Sequence, residues 1–327
     1  MEHNWRLCAA RLSRFPTPVA GLALGIASLG FVIESSYSTE GFVQGLSALL
    51  ASMLLGLLLL RFVLHPKTLI QDLSHPVVGS VAPTFAMALM LVSNAVARYL
   101  HPFAGSVLWL LAIVIHLAFL AAFCYHRSRQ FNWTDMGPSW FVPPVGIIVA
   151  ALAYLGPVHG VLYWLAVACL WFGMACFAIM LPMMFYRFIF KDNIEQGAQP
   201  TIAILAAPAS LSMAGYLTIE PSPSALIVLS LFGISLLMTF TVYLSFFKLL
   251  RLPFSPGYAA FTFPMVIGAS CMFKTADLLS RWGVNASLVE EVLWLARFEL
   301  LMASLVVAYV SFRFIYFFVF TRRHQQL

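Results

Sequence analysis

Ten long apolar runs alternate with short polar linkers along the whole chain, and this alternation restricts the possible folds more than any other feature. A helix needs about 20 apolar residues to cross the hydrocarbon core of a membrane. The runs cover residues 17–34, 43–63, 77–97, 104–124, 139–156, 160–186, 200–219, 224–247, 257–276 and 290–318. The sequence therefore predicts one all-α polytopic membrane domain over residues 1–327, with ten transmembrane helices arranged as five hairpins.

The overall composition agrees with a lipid environment. Hydrophobic residues make up 62% of the 327 residues and charged residues only 9%, whereas a soluble domain carries about 25% charged residues. The pI near 9.2 does not predict a nucleic-acid partner, because the positive charges lie between apolar runs. They are better explained by the orientation of the protein in its membrane.

Lysine and arginine residues are distributed unequally between the two predicted sides of the membrane. Fourteen of them lie on one side: Arg6, Arg11, Arg14, Arg61, Lys67, Arg127, Arg129, Arg187, Lys191, Lys248, Arg251, Arg313, Arg322 and Arg323. The other side holds Arg98, Lys274 and Arg281. Because loops on the cytoplasmic side are enriched in such residues, we expect a protein of the bacterial inner membrane with cytoplasmic tails at 1–15 and 319–327. The N-terminal stretch is not followed by the cleavage pattern of a signal peptide.

The odd-numbered runs differ from the even-numbered ones. Odd runs are rich in proline, glycine and other small residues, as in PVAGLALGIASLG, HPVVGSVAPTFAMAL and GYAAFTFPMVIGAS, whereas even runs are bulkier, as in SALLASMLLGLLLLRFVL. Proline leaves a carbonyl that hydrocarbon cannot satisfy, so these helices belong inside the protein. The pattern favours an inner ring of five kinked helices around a central pore, enclosed by an outer ring of five. Alternatively, the small residues serve only close helix packing.

Several motifs in the odd runs are similar to those of a known family. FPTPVAGLALGIASLG resembles a first helix with a Phe-Pro start and a G-x-x-x-G pattern, and VAPTF resembles the Ala-Pro break of the third helix. PSWFVPPVG, APASLSMAGY and FTFPM resemble the motifs of the fifth, seventh and ninth helices. Over nearly its whole length the chain thus resembles the bacterial TehA and plant slow-anion-channel (SLAC-type) proteins, the tellurite-resistance/dicarboxylate transporter family.

The resemblance implies a gate, an assembly and an activity. In that family the second aromatic residue of the ninth-helix motif closes the pore, and it corresponds to Phe263. Its neighbours are Phe261, Thr262 and Pro264. The family forms homotrimers with one pore per subunit and passes small inorganic anions passively, although some members carry dicarboxylates or sulfite. Ala23 and Ile147 depart from the family, which can have Pro and often has Asn at these positions.

The residues that kink or line the predicted pore come from the odd runs. They are Gly21, Gly25, Ser28, Pro83, Thr84, Pro143, Pro144, Gly146, Pro208, Ser212 and Gly268. Because no charged residue or histidine lies away from the ends of these runs, the pore is expected to bind ions weakly and to favour easily dehydrated anions, nitrate over chloride. Lys274 is either an anion attractor at the outer mouth or a lysine whose ammonium group snorkels to the interface.

The remaining function classes differ in the residues that they require. No carboxylate pair, nucleophile–base pair or metal-ligand spacing is visible, so neither an enzyme nor a cofactor or metal is predicted. The first hypothesis is a passive channel for small monovalent anions, gated by Phe263. The alternative is a proton-coupled carrier of C4-dicarboxylate, sulfite or tellurite-like oxyanions, which needs a titratable residue on an inner helix. A pump for lipophilic cations would need a buried acid in a cavity.

Three polar residues lie in the even runs, where side chains tend to face lipid. His116 is expected to be a hydrogen-bonded packing residue of the fourth helix. Arg297 and Glu299 should face protein rather than lipid, because charged groups in hydrocarbon are costly. Being two positions apart, they cannot share one face of the tenth helix. We therefore expect each to have a partner on another helix or subunit.

Overall fold

A computed structural model describes residues 12–13, 15–191 and 194–319. Within these residues the secondary structure is helical, without strands, which confirms the predicted all-α polytopic fold. Most of the two predicted tails lies outside the described residues, including Arg6, Arg11, Arg14, Arg322 and Arg323. The interior of the chain is covered except for residues 192 and 193.

The predicted apolar runs form ten helical segments in the described part of the chain. In order they are Val19–Tyr37, Phe42–Leu64, Val78–Tyr99, Pro102–Arg129, Pro138–Leu152, Val161–Phe190, Gln196–Ile219, Ala225–Leu249, Pro256–Arg281 and Ala286–Val319. Nine of these are long and apolar enough to cross a membrane, and the fifth is a shorter apolar helix. The fifth segment ends at Leu152, earlier than the predicted residue 156.

Breaks in the odd segments fall where the sequence places proline. The third segment consists of Val78–Val81 and Thr84–Tyr99, with Pro83 between the two helices. The seventh begins as a 3₁₀ helix and becomes α-helical at Ala207, directly before Pro208. The ninth changes from 3₁₀ to α-helix at Thr262. Proline lacks a backbone N–H and clashes with the preceding turn, so the regular α-helix is interrupted at these points.

Three local features differ from the sequence-based expectation. The first helix is unbroken, because its prolines precede Val19, and proline is tolerated at a helix start. The sixth helix contains Pro182 yet continues to Phe190. The linker after the second helix contains a short helix, Pro66–Ser74, hereafter the linker helix. The sequence alone predicts a loop here, because this stretch is short and lacks a long apolar run.

Burial follows the odd–even alternation closely. In the first, third, seventh and ninth segments, between 61% and 83% of the apolar window is buried inside the protein. In the even segments the share is only 28% to 33%, and large side chains such as Phe42 and Phe247 are exposed. In the fifth segment every residue except Pro144 is buried. The thin, proline-rich segments therefore form the interior, and the bulky segments present apolar side chains to the surroundings.

Candidate functional site

A cavity of about 80 Å³ lies among the odd-numbered segments. All of these segments contribute to its wall, which consists of Pro18, Gly21, Leu24, Val77, Val78, Val81, Thr84, Met87, Phe141, Val142, Val145, Gly146, Gly197, Thr201, Ile204, Ala207, Pro208, Leu211, Gly257, Ala259, Ala260, Phe263 and Pro264. Among the described residues, no charged residue belongs to this lining, and its only hydroxyl side chains are those of Thr84 and Thr201. The cavity is therefore an apolar space enclosed by the interior segments.

The helix breaks lie at the level of this cavity. Thr84, Ala207 and Phe263 all line it, and each stands at or next to the first residue of an α-helix that follows a break. The preceding turn or 3₁₀ helix satisfies the first backbone N–H groups here, as in the bonds from Ala207 to Ile204 and from Thr262 to Ala259. What reaches the cavity is the helix dipole, which is positive at this end. The cavity wall thus combines apolar side chains with helix ends that favour negative charge.

Phe263 and Phe261 occupy different environments. Phe263 lines the cavity and is 6% exposed. Phe261 is fully buried, and its ring centroid lies 4.7 Å from that of Tyr258 and 5.5 Å from that of Phe246. Residues two apart point to different sides of a helix, so one ring meets the cavity while the other anchors the segment in an aromatic cluster.

Thr262 joins the ninth segment to the first helix. Its hydroxyl group donates to the carbonyl oxygen of Ala259 at 2.7 Å and approaches that of Gly21 at 3.1 Å. A Cβ atom added to Gly25 would lie only 2.4 Å from the side chain of Thr262. Gly25 is therefore needed for the close approach of two helices and does not line the cavity, whereas Gly21 does.

Alanine substitutions of Gly25, which is tightly packed, and of Gly56, which is not, should have opposite effects on stability. Gly25→Ala is expected to lower stability by about 1–3 kcal/mol, the usual cost of overpacking. Gly56→Ala is the matched control, because nothing lies within 4 Å of its new Cβ atom. In a helix interior that change should stabilise by up to about 1 kcal/mol. Thermal unfolding in detergent measures both variants, and a Gly25→Ala protein as stable as the Gly56→Ala protein would contradict the packing argument.

The other predicted pore residues divide into two groups. Thr84, Gly146, Pro208 and Pro264 line the cavity together with Gly21 and Phe263. Six further predicted residues are not part of this lining: Ser28, Pro83, Pro143, Pro144, Ser212 and Gly268. The hydroxyl of Ser28 donates to the carbonyl of Leu24 at 2.6 Å, and Pro144 lines a separate apolar cavity beside the fourth and sixth helices. Lys274 is partly buried on the ninth helix, outside the cavity lining.

A second, wider cavity of about 520 Å³ adjoins the first. Both are lined by Pro18, Val77, Val78, Gly197 and Gly257. Polar and charged residues line the second cavity, among them Thr17, Arg61, Asp72, His75 and Glu195. We call it the vestibule. It leads from the apolar cavity to the end of the bundle where the second helix ends and the third segment begins.

A buried ion pair holds the wall of the vestibule together. The Nη2 atom of Arg61 lies 2.8 Å from Oδ2 of Asp72, and the Arg61 side chain is only 5% exposed. Arg61 also donates to the hydroxyl of Thr17 at 2.7 Å, and Thr17 donates to Asp72 at 2.6 Å. The three residues connect the second helix, the linker helix and the start of the first helix. Sequence analysis missed this network because its members are 11 to 55 positions apart.

A family model described as SLAC1, voltage-dependent anion channel, matches residues 14–324. The chain belongs to the SLAC1 family. Two similar proteins from Methanocaldococcus jannaschii are named as uncharacterized transporters. One is 28% identical over 239 residues, covering 66% of this chain and 70% of that relative. The other is 27% identical over 228 residues, covering 63% and 65%.

Membership in the SLAC1 family confirms the resemblance inferred from the motifs of the odd runs. The match includes all of the membrane segments and the residues that line the cavity and the vestibule. It places the chain in a channel and transporter family, and it points to anion transport across a membrane. The chain is therefore an integral membrane protein of an anion-transporting family.

His116 of this SLAC1-family chain has the packing role predicted from its sequence context. It is completely buried, and its Nε2 atom lies 2.8 Å from the carbonyl oxygen of Pro143. That carbonyl belongs to the Pro-Pro bend of the fifth segment. A carbonyl group exposed at a bend needs a donor inside a membrane protein, so the histidine from the fourth helix helps to make the bend possible.

Within this chain Arg297 has its partner on its own helix instead of another helix, and Glu299 is buried without a hydrogen-bond partner for one of its oxygens. Arg297 pairs with Glu290 of its own helix at 2.9 Å, so its partner is not on another helix. The long tenth helix brings residues seven apart onto the same face, two turns from each other. Glu299 faces protein as expected, with 3% exposure, but its Oε2 atom has no hydrogen-bond partner.

Proposed function

We propose that this chain is a passive channel for small monovalent anions such as nitrate and chloride, with Phe263 as its gate. The observation that carries the proposal is the position of Phe263 in the wall of an uncharged cavity among the odd segments. Family membership supports anions as the transported species. In the proposed closed state, the Phe263 ring narrows the path and keeps it free of water, which raises the barrier to ion passage.

The proposed pore is formed by an inner ring of the five odd segments, with the five even segments outside. Two observations support this arrangement: the odd segments are buried, and residues of the odd segments and their leading loops line the cavity. Anions would move from the vestibule into the cavity and past Phe263. Helix ends at the breaks supply favourable dipoles without fixed charge, so anions are held weakly enough to leave again.

The proposed orientation places the vestibule in the cytoplasm of a bacterial cell. Lys67 in the linker helix, Arg129 at the end of the fourth helix and Arg251 after the eighth helix lie at this end. Positive charge next to membrane segments favours the cytoplasmic side of the inner membrane. A homotrimer with one pore per subunit remains part of the proposal. The exposed apolar faces of the even helices are suited to contact lipid and neighbouring subunits.

The second candidate is a proton-coupled carrier of C4-dicarboxylate, sulfite or tellurite-like oxyanions. One observation favours it, namely that the buried acid Glu299 contacts the ninth helix at Gly268. Neither residue lines the cavity, so a transported anion in that space does not meet the carboxyl group directly. For this reason the passive channel is the function that the geometry supports better.

Reversal potentials of the reconstituted protein distinguish the two candidates. For a channel without fixed charge in its cavity, we expect nitrate to be more permeant than chloride, and malate and sulfite to be poorly permeant. We also expect a pH gradient alone to leave the zero-current potential unchanged. The measurement compares all four anions with and without this gradient, using an alanine substitution of Phe263 to enlarge the current. A potential that follows the proton gradient would favour the coupled carrier.

A further inference from the structure

Glu299 is a buried acidic side chain that the proposed ion path does not use. It lies on the tenth helix and is 3% exposed. Its Oε2 atom has no hydrogen-bond partner, and among the described residues no lysine or arginine forms an ion pair with it. A charged carboxylate buried without a partner is costly, so the site requires an explanation.

The free oxygen of Glu299 points at the helix that contains the proposed gate. A Cβ atom built on Gly268 would lie 2.8 Å from Oε2 of Glu299, and 3.9 Å from Oγ1 of Thr239. Oγ1 of Thr239 is likewise buried and without a partner. Two unsatisfied oxygens, from the eighth and tenth helices, thus meet the ninth helix at a residue without a side chain. Gly268 follows Phe263 by five positions on the same helix.

Among the described residues, the groups around Glu299 bring no fixed positive charge into contact with its carboxylate. Tyr243 on the eighth helix packs on Phe298, the neighbour of Glu299, with ring centroids 6.4 Å apart, and Cys271 lies on the ninth helix three positions beyond Gly268. Lys274 is the nearest lysine along the ninth helix and lies six positions beyond Gly268. The first helix also packs on the tenth, and its acidic residue is Glu34.

Other charged and titratable groups of the ninth and tenth segments have partners of their own, whereas within the described part of the chain no ion pair is seen for Lys274 or for Glu291, which is exposed. Arg297 pairs with Glu290, and Asp277 pairs with Arg281. The hydroxyl of Tyr258, in the 3₁₀ part of the ninth segment, donates to the carbonyl of Leu252 at 2.6 Å. Glu299 is therefore the buried acid of this region whose charge is not compensated by any described contact.

We propose that Glu299 is a proton-binding site that controls the position of the ninth helix and, through it, the Phe263 gate. The proposal rests on the channel function proposed above. A neutral carboxyl group has one O–H donor, and a rotation of the Glu299 or Thr239 side chain would bring it to the Thr239 hydroxyl while the group stays packed against Gly268. When the proton leaves to the bulk solvent, the carboxylate must gain water or a cation, and the contact with the ninth helix loosens.

The sign of the resulting pH dependence follows from these two states. At low pH, Glu299 is neutral, the ninth helix is held in place and the gate is closed. At higher pH, the ionised group leaves its dry position and the anion current increases. Glu299→Gln keeps the shape and donor capacity of the neutral acid. We expect this variant to remain at the low-pH current of the wild type across the whole pH range.

The experiment compares the full-length wild-type, Glu299→Gln and Glu290→Gln proteins in liposomes. Glu290→Gln removes an exposed carboxyl group from the same helix and is the matched control. Nitrate currents are recorded from mildly acidic to mildly alkaline pH, with equal pH on both sides. We expect a several-fold rise in current for the wild type and the control, and none for Glu299→Gln. An equal rise in all three proteins would overturn the proposal.

Two additional measurements keep the test decisive. Infrared difference spectroscopy should detect a protonated carboxyl group in the wild type that is missing in Glu299→Gln, whether or not the protein conducts. If this band is present but the Phe263→Ala protein carries no anion current, the channel function fails and the proton site stands. If Glu299→Gln does not fold, Gly268→Ala is measured in its place, because the new methyl group displaces the carboxyl group of Glu299. A pH midpoint of the nitrate current equal to that of the wild type would then also overturn the proposal.

Discussion

Replacing Phe263 with alanine is expected to increase the anion conductance of the reconstituted protein by about tenfold or more. Each factor of ten corresponds to about 1.4 kcal/mol of barrier, and the aromatic ring is the largest side chain that the ninth segment contributes to the cavity. Its removal widens and wets the path without adding a charge. Planar bilayer recordings in symmetrical nitrate give the conductance directly.

Two variants control for this result. Phe261→Ala removes the same ring two positions earlier, but that ring packs on Tyr258 and Phe246 away from the cavity. It should cost stability without opening the path. Phe263→Leu keeps an apolar side chain in the cavity and should increase conductance less than alanine does. Wild-type currents in a folded Phe263→Ala protein would remove Phe263 from the mechanism.

Replacing Asp72 with alanine is expected to lower the stability of the protein by about 3 kcal/mol. The change leaves the guanidinium group of Arg61 buried without its carboxylate, and breaking a buried ion pair in this way is strongly destabilising. Thr17 would also lose the acceptor of its hydroxyl group. The loss should appear as a lower unfolding temperature in detergent and as easier proteolysis next to the linker helix.

The matched control for this substitution is Asp277→Ala. Asp277 also pairs with an arginine, Arg281, at 3.1 Å, but both side chains are more than half exposed. Exposed pairs contribute little to stability because water and salt screen them. We therefore expect almost no change for Asp277→Ala. Equal losses for the two variants would show that the network beside the vestibule has no special structural role.

The positions of the membrane segments could be predicted because they depend on local properties of the sequence. An apolar run of sufficient length must become a helix in lipid, and the breaks at Pro83 and Pro208 follow from the chemistry of proline. The fifth segment was predicted less accurately. Its short helical pieces between Pro138 and Leu152 combine 3₁₀ and α geometry, which a count of apolar residues does not resolve.

The candidate site could be predicted only in part, because the direction of a small residue depends on its neighbours. Gly21 and Gly25 belong to one pattern in the sequence, yet only Gly21 lines the cavity. Gly25 makes room for Thr262, and Gly268 makes room for Glu299. A glycine at a helix contact and a glycine at a cavity look the same in a single sequence. The ion pair of Arg61 and Asp72 depends on tertiary contacts and leaves no local signal.

The contacts of the Phe261 ring with Tyr258 and Phe246, here called the aromatic anchor, affect how the ninth segment can move. The anchor marks the junction between 3₁₀ and α-helix, which can act as a pivot for the α-helical part that follows. Gly268 lies seven residues farther on, about 10 Å at 1.5 Å per residue. A displacement of the helix at Gly268 would therefore tilt its α-helical part about the junction. Phe263 lies close to this junction, so a small tilt of the helix would reorient the Phe263 ring while its backbone moves only slightly.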